Sequence, residues 1–238
     1  MSTKIYLWIE DHKDKAGYVF WETLMHQLDP NIIVESKGNN SELVKAVGAL
    51  PDCENKYIIV FDNSFDNLQA YQERRLLKKY AEKKSNVHLL DVICFEFILL
   101  EFDKLMDWLY APDDEFREKR STEIRARELL LEAFRADEMN YKGIQEIVLY
   151  DDNLKNHNIE QLSAKLLFDL TRNTGFEVSK KNIGDCWICS CCEWVGREKD
   201  DVCGLDSERL SLEEKMKSIY IGTSLASEFG KARMELGL

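Results

Sequence analysis

Two short apolar runs, each ending abruptly at carboxylates, constrain the fold of this chain more than any other feature. Residues 5–14 read IYLWIEDHKD and residues 57–67 read YIIVFDNSFDN. Runs of this kind are typical of buried strands in a parallel sheet. The carboxyl ends of such strands share one edge of the sheet, where ligands bind in open α/β folds. The two runs bring five acids to that edge: Glu10, Asp11, Asp14, Asp62 and Asp66.

Strand and helix patterns alternate through the first half of the chain. Apolar runs predict strands at 4–9, 31–36, 57–61 and 87–93, and helical periodicity predicts helices at 15–28, from 41 and at 67–84. Alternation of this kind implies a parallel sheet with helices on both faces. Longer helical patterns dominate from residue 121 onward. The sequence therefore predicts an α/β domain at 1–110 followed by a mostly helical extension at 111–238.

A further acid, Glu96, interrupts the apolar run CFEFILLEF at 94–102. Burying an unpaired carboxylate is costly, so Glu96 is expected to face a cation or a water-filled site. A set of carboxylates without histidine or thiolate is typical of a Mg²⁺ or Mn²⁺ site. The predicted metal ligands are Glu10, Asp62, Asp66 and Glu96.

Divalent ions held by carboxylates can orient a phosphodiester, activate a bound water and stabilise the leaving oxygen. A carboxylate kept off the metal would serve as general base, and His12 beside the acids would either shuttle a proton or be merely solvated. The simpler alternative is that the acids end strands and begin helices, a role that suits Asp62 and Asn67. Capping alone would not explain why acids follow two separate strands, nor why Glu96 lies within an apolar run.

The order of these acids resembles the Toprim domain over residues 4–102. Glu10 matches the family's first-strand glutamate and Asp14 the aspartate four residues later, in a motif like V-E-G-x-x-D. Asp62 matches the first acid of the family's D-x-D motif. Glu96 resembles the glutamate of a following S-x-E-N-Y-L-like segment.

The chain departs from the Toprim pattern at two positions. Asp11 stands where the motif has glycine, and Ser64 replaces the second acid of D-x-D. The resemblance is closest to small Toprim proteins and OLD-type nucleases of phage defence. It implies a Mg²⁺- or Mn²⁺-dependent nuclease for DNA or RNA, acting as an antiviral effector, with Glu10, Asp14 and Asp62 as catalytic residues.

Partners and alternatives follow from what the chain lacks. It carries no P-loop G-x-x-x-x-G-K-[ST], so a protein partner is expected, such as an ATPase supplied by another chain, and homo-oligomerisation is left open. The alternative function is a catalytically degenerate Toprim-like module that acts through protein partners. A receiver-like phosphoacceptor domain would also have acids after its first and third strands. It needs a Thr or Ser and a Lys after later strands, which residues 87–96 do not supply.

Charge and composition limit the class of partner. The net charge of −12 argues against a protein that coats nucleic acid, because non-specific affinity for phosphates comes from Lys and Arg. One helix face nevertheless carries Arg75, Lys79 and Lys83, either to bind a nucleic-acid backbone or as a solvated face. Seven cysteines without a signal peptide predict a cytoplasmic protein. The absence of an apolar run of about 20 residues argues against a membrane span.

A cysteine-rich segment lies at 186–203. A CxxC spacing followed by later cysteines permits a tetrahedral zinc site. Its ligands would be Cys186, Cys189, Cys192 and Cys203. No second CxxC follows, and the neighbours Trp187 and Ile188 favour the alternative that these cysteines are small core residues.

Overall fold

Four parallel strands form one sheet in the order β2-β1-β3-β4. The computed structural model describes residues 3–51, 53–111, 115–137, 158–192, 203–205 and 208–238. The strands are β1 (Ile5–Ile9), β2 (Ile32–Ser36), β3 (Lys56–Ile59) and β4 (Val87–Leu89). Ile5 of β1 lies opposite Ile32 of β2 and opposite Lys56 of β3. The predicted α/β class with a parallel sheet and helices around it is confirmed.

Helices connect the strands and then continue as the C-terminal extension. They are α1 (Ala16–Leu28), α2 (Asn40–Ala49), α3 (Leu68–Ala81), α4 (Phe95–Glu101), α5 (Leu105–Leu109), α6 (Glu115–Lys119), α7 (Ser121–Arg135), α8 (Ile159–Thr171), α9 (Asp185–Ile188), α10 (Leu212–Ile221) and α11 (Leu225–Leu236). Within the described ranges, none of these helices has the length and apolar character needed to cross a bilayer.

Side chains of β1 alternate between two apolar clusters, one on each face of the sheet. Leu7 and Ile9 belong to the larger cluster, which contains α1 and the C-terminal helices α10 and α11. Trp8 belongs to the smaller cluster, with residues of α2 and α3. The larger cluster extends from Leu7 to Leu236. The predicted extension at 111–238 therefore packs into the same core as the sheet and covers one of its faces.

One predicted strand is shorter in the structure. The strand predicted at 87–93 ends at Leu89, after which only single hydrogen bonds continue along β3, such as Leu90 N to Ile59 O at 2.9 Å. The apolar run at 94–102 forms the helix α4, in which every residue from Phe97 to Leu100 is buried. Continuous apolar runs do not distinguish a buried strand from a buried helix, so the sequence marked no boundary between β4 and α4.

The order of the strands creates a crevice at one position along the carboxyl edge. The chain leaves β1 through α1 on one face of the sheet and returns from β2 to β3 through α2 on the other face. The carboxyl ends of β1 and β3 are therefore adjacent, and the two connections diverge there. Open α/β sheets bind their ligands at such a switch point.

Candidate functional site

Glu10 and Asp62 meet at the switch point. Glu10 directly follows β1, and Asp62 comes three residues after the end of β3. Their carboxyl groups lie within hydrogen-bonding reach of each other. Asn40, the first residue of α2, donates to the Glu10 carboxylate when its amide is oriented to satisfy both of its polar atoms. Two predicted site residues from separate strands thus lie in contact.

Asp11 and Glu96 extend this pair. Asp11 lies against the first turn of α1, where a Cβ at Gly17 would collide with Oδ2 of Asp11. Gly17 therefore allows a close approach that any other residue would block. Glu96 lies in the first turn of α4, and its charge raises the pKa of Asp62. The alignment of peptide dipoles favours negative charge at such helix starts.

A fifth acid, Glu160, comes from the C-terminal extension. It lies in the first turn of α8, and its Oε2 accepts a hydrogen bond of 2.8 Å from Oγ of the buried Ser64. Asp66 fixes the same helix start, because its Oδ2 accepts from the backbone N of Ile159 at 2.9 Å. The loop after β3 thus positions an acid that sequence reasoning missed. Only the cap-like Asn158 before it marked the helix start.

These five residues, Glu10, Asp11, Asp62, Glu96 and Glu160, are called the carboxylate cluster. Each is half-buried, so each retains some contact with solvent. Burial, and then repulsion by Asp11 and Glu160, raises the pKa of Glu10 to about 8. Burial raises the pKa of Glu96 to about 8 and that of Asp11 to about 6. The pKa of Asp62 lies well above its ordinary value, through burial and then the charge of Glu10.

Few positive charges offset this negative potential. None of the five acids forms an ion pair with a lysine or arginine of the described ranges. The charges of Asp62 and Glu10 act on Arg74 without pairing with it. Its guanidinium donates to the carbonyl oxygen of Phe61 at 2.6 Å and pairs with Asp91 at 2.9 Å. Lys15, His12 and Lys180 lower the pKa of Asp11 through their charges. Among the described residues, therefore, no lysine or arginine neutralises the cluster through an ion pair.

Other predicted site residues lie elsewhere. Asp14 is exposed. Asp66 is also exposed, and it bonds the backbone at the start of α8 from the loop after β3. Arg75, Lys79 and Lys83 are exposed along and just beyond α3, which runs away from the carboxyl edge. Lys79 is about 16 Å along the helix from its start at 1.5 Å per residue. These three basic residues are exposed, and their role in binding a nucleic-acid backbone stays a prediction.

The cysteine segment has a different geometry. Residues 193–202 lie outside the described residues, whereas the four predicted zinc ligands lie within them. Lys215, which is fully buried, donates to the carbonyl oxygens of Cys186 at 2.8 Å and Cys189 at 2.9 Å. Cys189 and Cys192 are exposed. Hydrogen bonds from Lys215 to backbone carbonyl groups thus hold the CxxC turn in place.

The fit of a metal was tested on both sets of side chains. In the part of the chain that the structure describes, no three His, Cys, Asp or Glu side chains are already arranged to hold a metal ion. For the carboxylate cluster the chemistry still suits a hard divalent cation, because all donors are carboxylate oxygens. Binding a cation requires these acids to be deprotonated, because a carboxylate ligates a metal only in its charged form.

Comparisons with protein-family models, with curated proteins and with solved structures found no match for this chain. The chemistry of the carboxylate cluster is therefore the basis for assigning a function.

Proposed function

We propose that this protein is a Mg²⁺- or Mn²⁺-dependent nuclease that hydrolyses phosphodiester bonds at the carboxylate cluster. One observation carries the proposal: acids from four separate segments converge at the switch point of the sheet, and no lysine or arginine of the described residues pairs with them. Burying several carboxylates together is unfavourable unless a cation or protons compensate. Such an arrangement is typical of a site that functions with a metal bound.

Each acid has a role in this proposal. Glu10, Asp62 and Glu160 would hold the cation, since the charges of Glu10 and Glu160 both act on Asp62. A bound divalent ion would lower the pKa of a water molecule and stabilise charge on the phosphate. Asp11 has a pKa of about 6, which suits a general base near neutral pH. Lys15 and Lys180, whose charges act on Asp11, are placed to attract a substrate phosphate.

Glu160 also accounts for a departure from the Toprim pattern. Ser64 occupies the position of the second acid in D-x-D and cannot supply a carboxylate. It donates instead to Glu160, so a carboxylate from another helix stands beside that position. The Toprim resemblance, the antiviral role, the cytoplasmic location and an ATPase partner remain proposals, and the cluster supports only the nuclease chemistry directly.

The test is a cleavage assay on single-stranded and double-stranded DNA and RNA. The wild-type chain should cleave with Mg²⁺ or Mn²⁺ and not with EDTA, and Glu10→Gln or Asp62→Asn should abolish cleavage. Uncleaved substrate under every divalent condition would reject the enzyme.

A second function is favoured by one observation. Within the described residues no metal-binding group is preformed. A degenerate module that kept the sheet and acts through protein partners would have this property. Isothermal titration with Mn²⁺ separates the two functions, because the module would bind no metal at the cluster and the nuclease would bind at least one ion.

A further inference from the structure

A cleft is lined by residues that follow two acids of the carboxylate cluster in sequence, Asn63 after Asp62 and Phe97 after Glu96. It has a volume of about 510 Å³ and starts at Asn63, the residue next to Asp62. Cavities of about 300–1,000 Å³ are typical of small-molecule sites. The nuclease proposal assigns no role to this space.

Aromatic rings form part of the wall of the cleft. Phe65 and Phe134 are 36% and 41% exposed, which is high for phenylalanine in a folded domain. Phe97 is buried beneath them and packs edge-on against Phe134, with 4.8 Å between ring centroids. Phe134 is thus fixed by a neighbour while its other surface remains open. A fixed, accessible ring is suited to stacking against a flat ligand.

The polar part of the lining consists mostly of hydrogen-bond acceptors. Asp91 lies at the rim, where Arg74 holds one of its oxygens at 2.9 Å. Glu101 lies deeper, and its Oε1 accepts from Ser224 N at 2.9 Å. Oε2 of Glu101 has no hydrogen-bond partner among the described residues. Carboxylates repel phosphate and accept hydrogen bonds from amino groups, so the cleft selects against the anionic part of a nucleotide.

We propose that this cleft binds a nucleobase that carries an exocyclic amino group, next to the phosphate held at the carboxylate cluster. The inference rests on the proposed function and deepens it by narrowing the substrate. A base can enter the cleft only if it is unpaired or turned out of a duplex. The preferred substrate is therefore single-stranded nucleic acid. Stacking on Phe134 binds the ring, and Asp91 and Glu101 accept from the amino group, as Asp and Glu accept from N4 of cytosine.

The experiment uses free nucleosides and the full-length wild-type protein in EDTA, so that neither phosphate nor metal contributes. Ligand-observed NMR titrations compare cytidine with uridine and guanosine with inosine. Within each pair the base with the amino group should bind at least about fivefold more tightly, since a good polar pair discriminates by roughly 1–3 kcal/mol. Equal affinity within both pairs, or no binding at millimolar concentration, would overturn the inference.

Two variants locate the binding. Phe134→Ala should weaken cytidine binding about tenfold, in the range found for base–aromatic stacking. Its matched control is Tyr71→Ala, which removes an aromatic ring that is 49% exposed on α3, outside the cleft. Asp91→Ala changes an exposed side chain and should reduce the preference for cytidine over uridine, with Asp14→Ala as its control. Equal effects of variant and control would contradict the assignment.

Two further outcomes separate this inference from the nuclease proposal. Nucleoside binding without any cleavage activity would support the cleft and reject the nuclease. Cleavage without nucleoside binding would reject the cleft alone. An aromatic and acidic cleft also suits a guanidinium group, so N-acetyl-arginine amide is titrated in parallel. Displacement of cytidine by this cation at lower concentration would overturn the inference in favour of a basic protein partner.

Discussion

The carboxylate cluster and the cysteine segment were both predicted to contain metal ligands. They differ in how the fold arranges their residues. The acids are far apart in sequence, from Glu10 to Glu160, and their charges nevertheless act on one another. Cys186 and Cys189 are close in sequence, yet the buried Lys215 binds their carbonyl oxygens. The topology of a parallel sheet brings strand ends together, whereas a short spacing alone does not orient side chains. Position in the topology therefore predicted that Glu10 and Asp62 approach each other, while both metal sites stay predictions.

The largest effect should separate these two regions directly. Asp62→Asn should reduce cleavage by on the order of 10³-fold, because it removes a carboxylate from the centre of charge stabilisation. The double variant Cys186→Ser/Cys189→Ser should retain activity within about twofold, an outcome that steady-state rates at saturating Mn²⁺ would measure. A comparable loss in both variants would mean that the cysteine segment is functional as well.

Stability as a function of pH gives the next contrast. Raised pKa values mean that Glu10, Glu96 and Asp11 hold protons in the folded protein at pH values where the unfolded chain has lost them. The folded state then binds more protons, so the free energy of unfolding decreases as pH rises. The decrease should begin near the ordinary values of 3.8 and 4.5 and end near pH 8, the pKa of Glu10 and Glu96.

Mn²⁺ should reverse this loss at pH 8. At about 100 times its Kd, a ligand of the folded state adds about 2.7 kcal/mol to the free energy of unfolding. Thermal unfolding from pH 5 to pH 8, with and without Mn²⁺, measures both effects. A zinc-selective chelator added to the metal-free protein should leave the curve unchanged. If stability instead rises between pH 5 and 8 without metal, the acids are not protonated as described.

Glu160→Gln should have an intermediate effect. It keeps the hydrogen bond with Ser64 and removes one charge, so Mn²⁺ affinity should fall on the order of tenfold by calorimetry. Asp14→Asn is the matched control, because Asp14 is exposed and lies outside the cluster. The Toprim resemblance assigns a catalytic role to Asp14 and none to Glu160. A larger effect of Asp14→Asn would favour that assignment over the geometry of the cluster.

The smallest effect concerns the close approach at Gly17. Gly17→Ala should displace Asp11 and reduce the cleavage rate severalfold, with a shift in the pH dependence that Asp11 contributes as general base. Gly230→Ala in α11 is the control, since a Cβ there would meet nothing within 4 Å. That control should raise stability by about 0.5–1 kcal/mol, as alanine favours a helix over glycine. Unchanged rate profiles in both variants would remove Asp11 from the mechanism.

Much of the fold was predictable because its signals are local. The strands β1 to β3 follow apolar runs that end within two residues of their predicted limits, and Glu10 and Asp62 follow from those limits. Glu160 was not predictable, because nothing near it in sequence specifies that Asp66 and Ser64 bind the start of α8. The same reason applies to Lys215, whose burial against the CxxC turn depends on α10 packing beside α9. Long-range contacts of this kind leave no periodic signal.

The attachment of α8 to the loop after β3 determines when the carboxylate cluster is assembled during synthesis of the chain. A nascent chain that has left the ribosome only as far as α7 contains four of the five acids and no partner for Ser64. The fifth acid arrives only with α8, and the C-terminal helices that cover the sheet follow later still. The loop after β3 therefore gains its contacts with the start of α8 only after α8 has been synthesised, so the carboxylate cluster is assembled late.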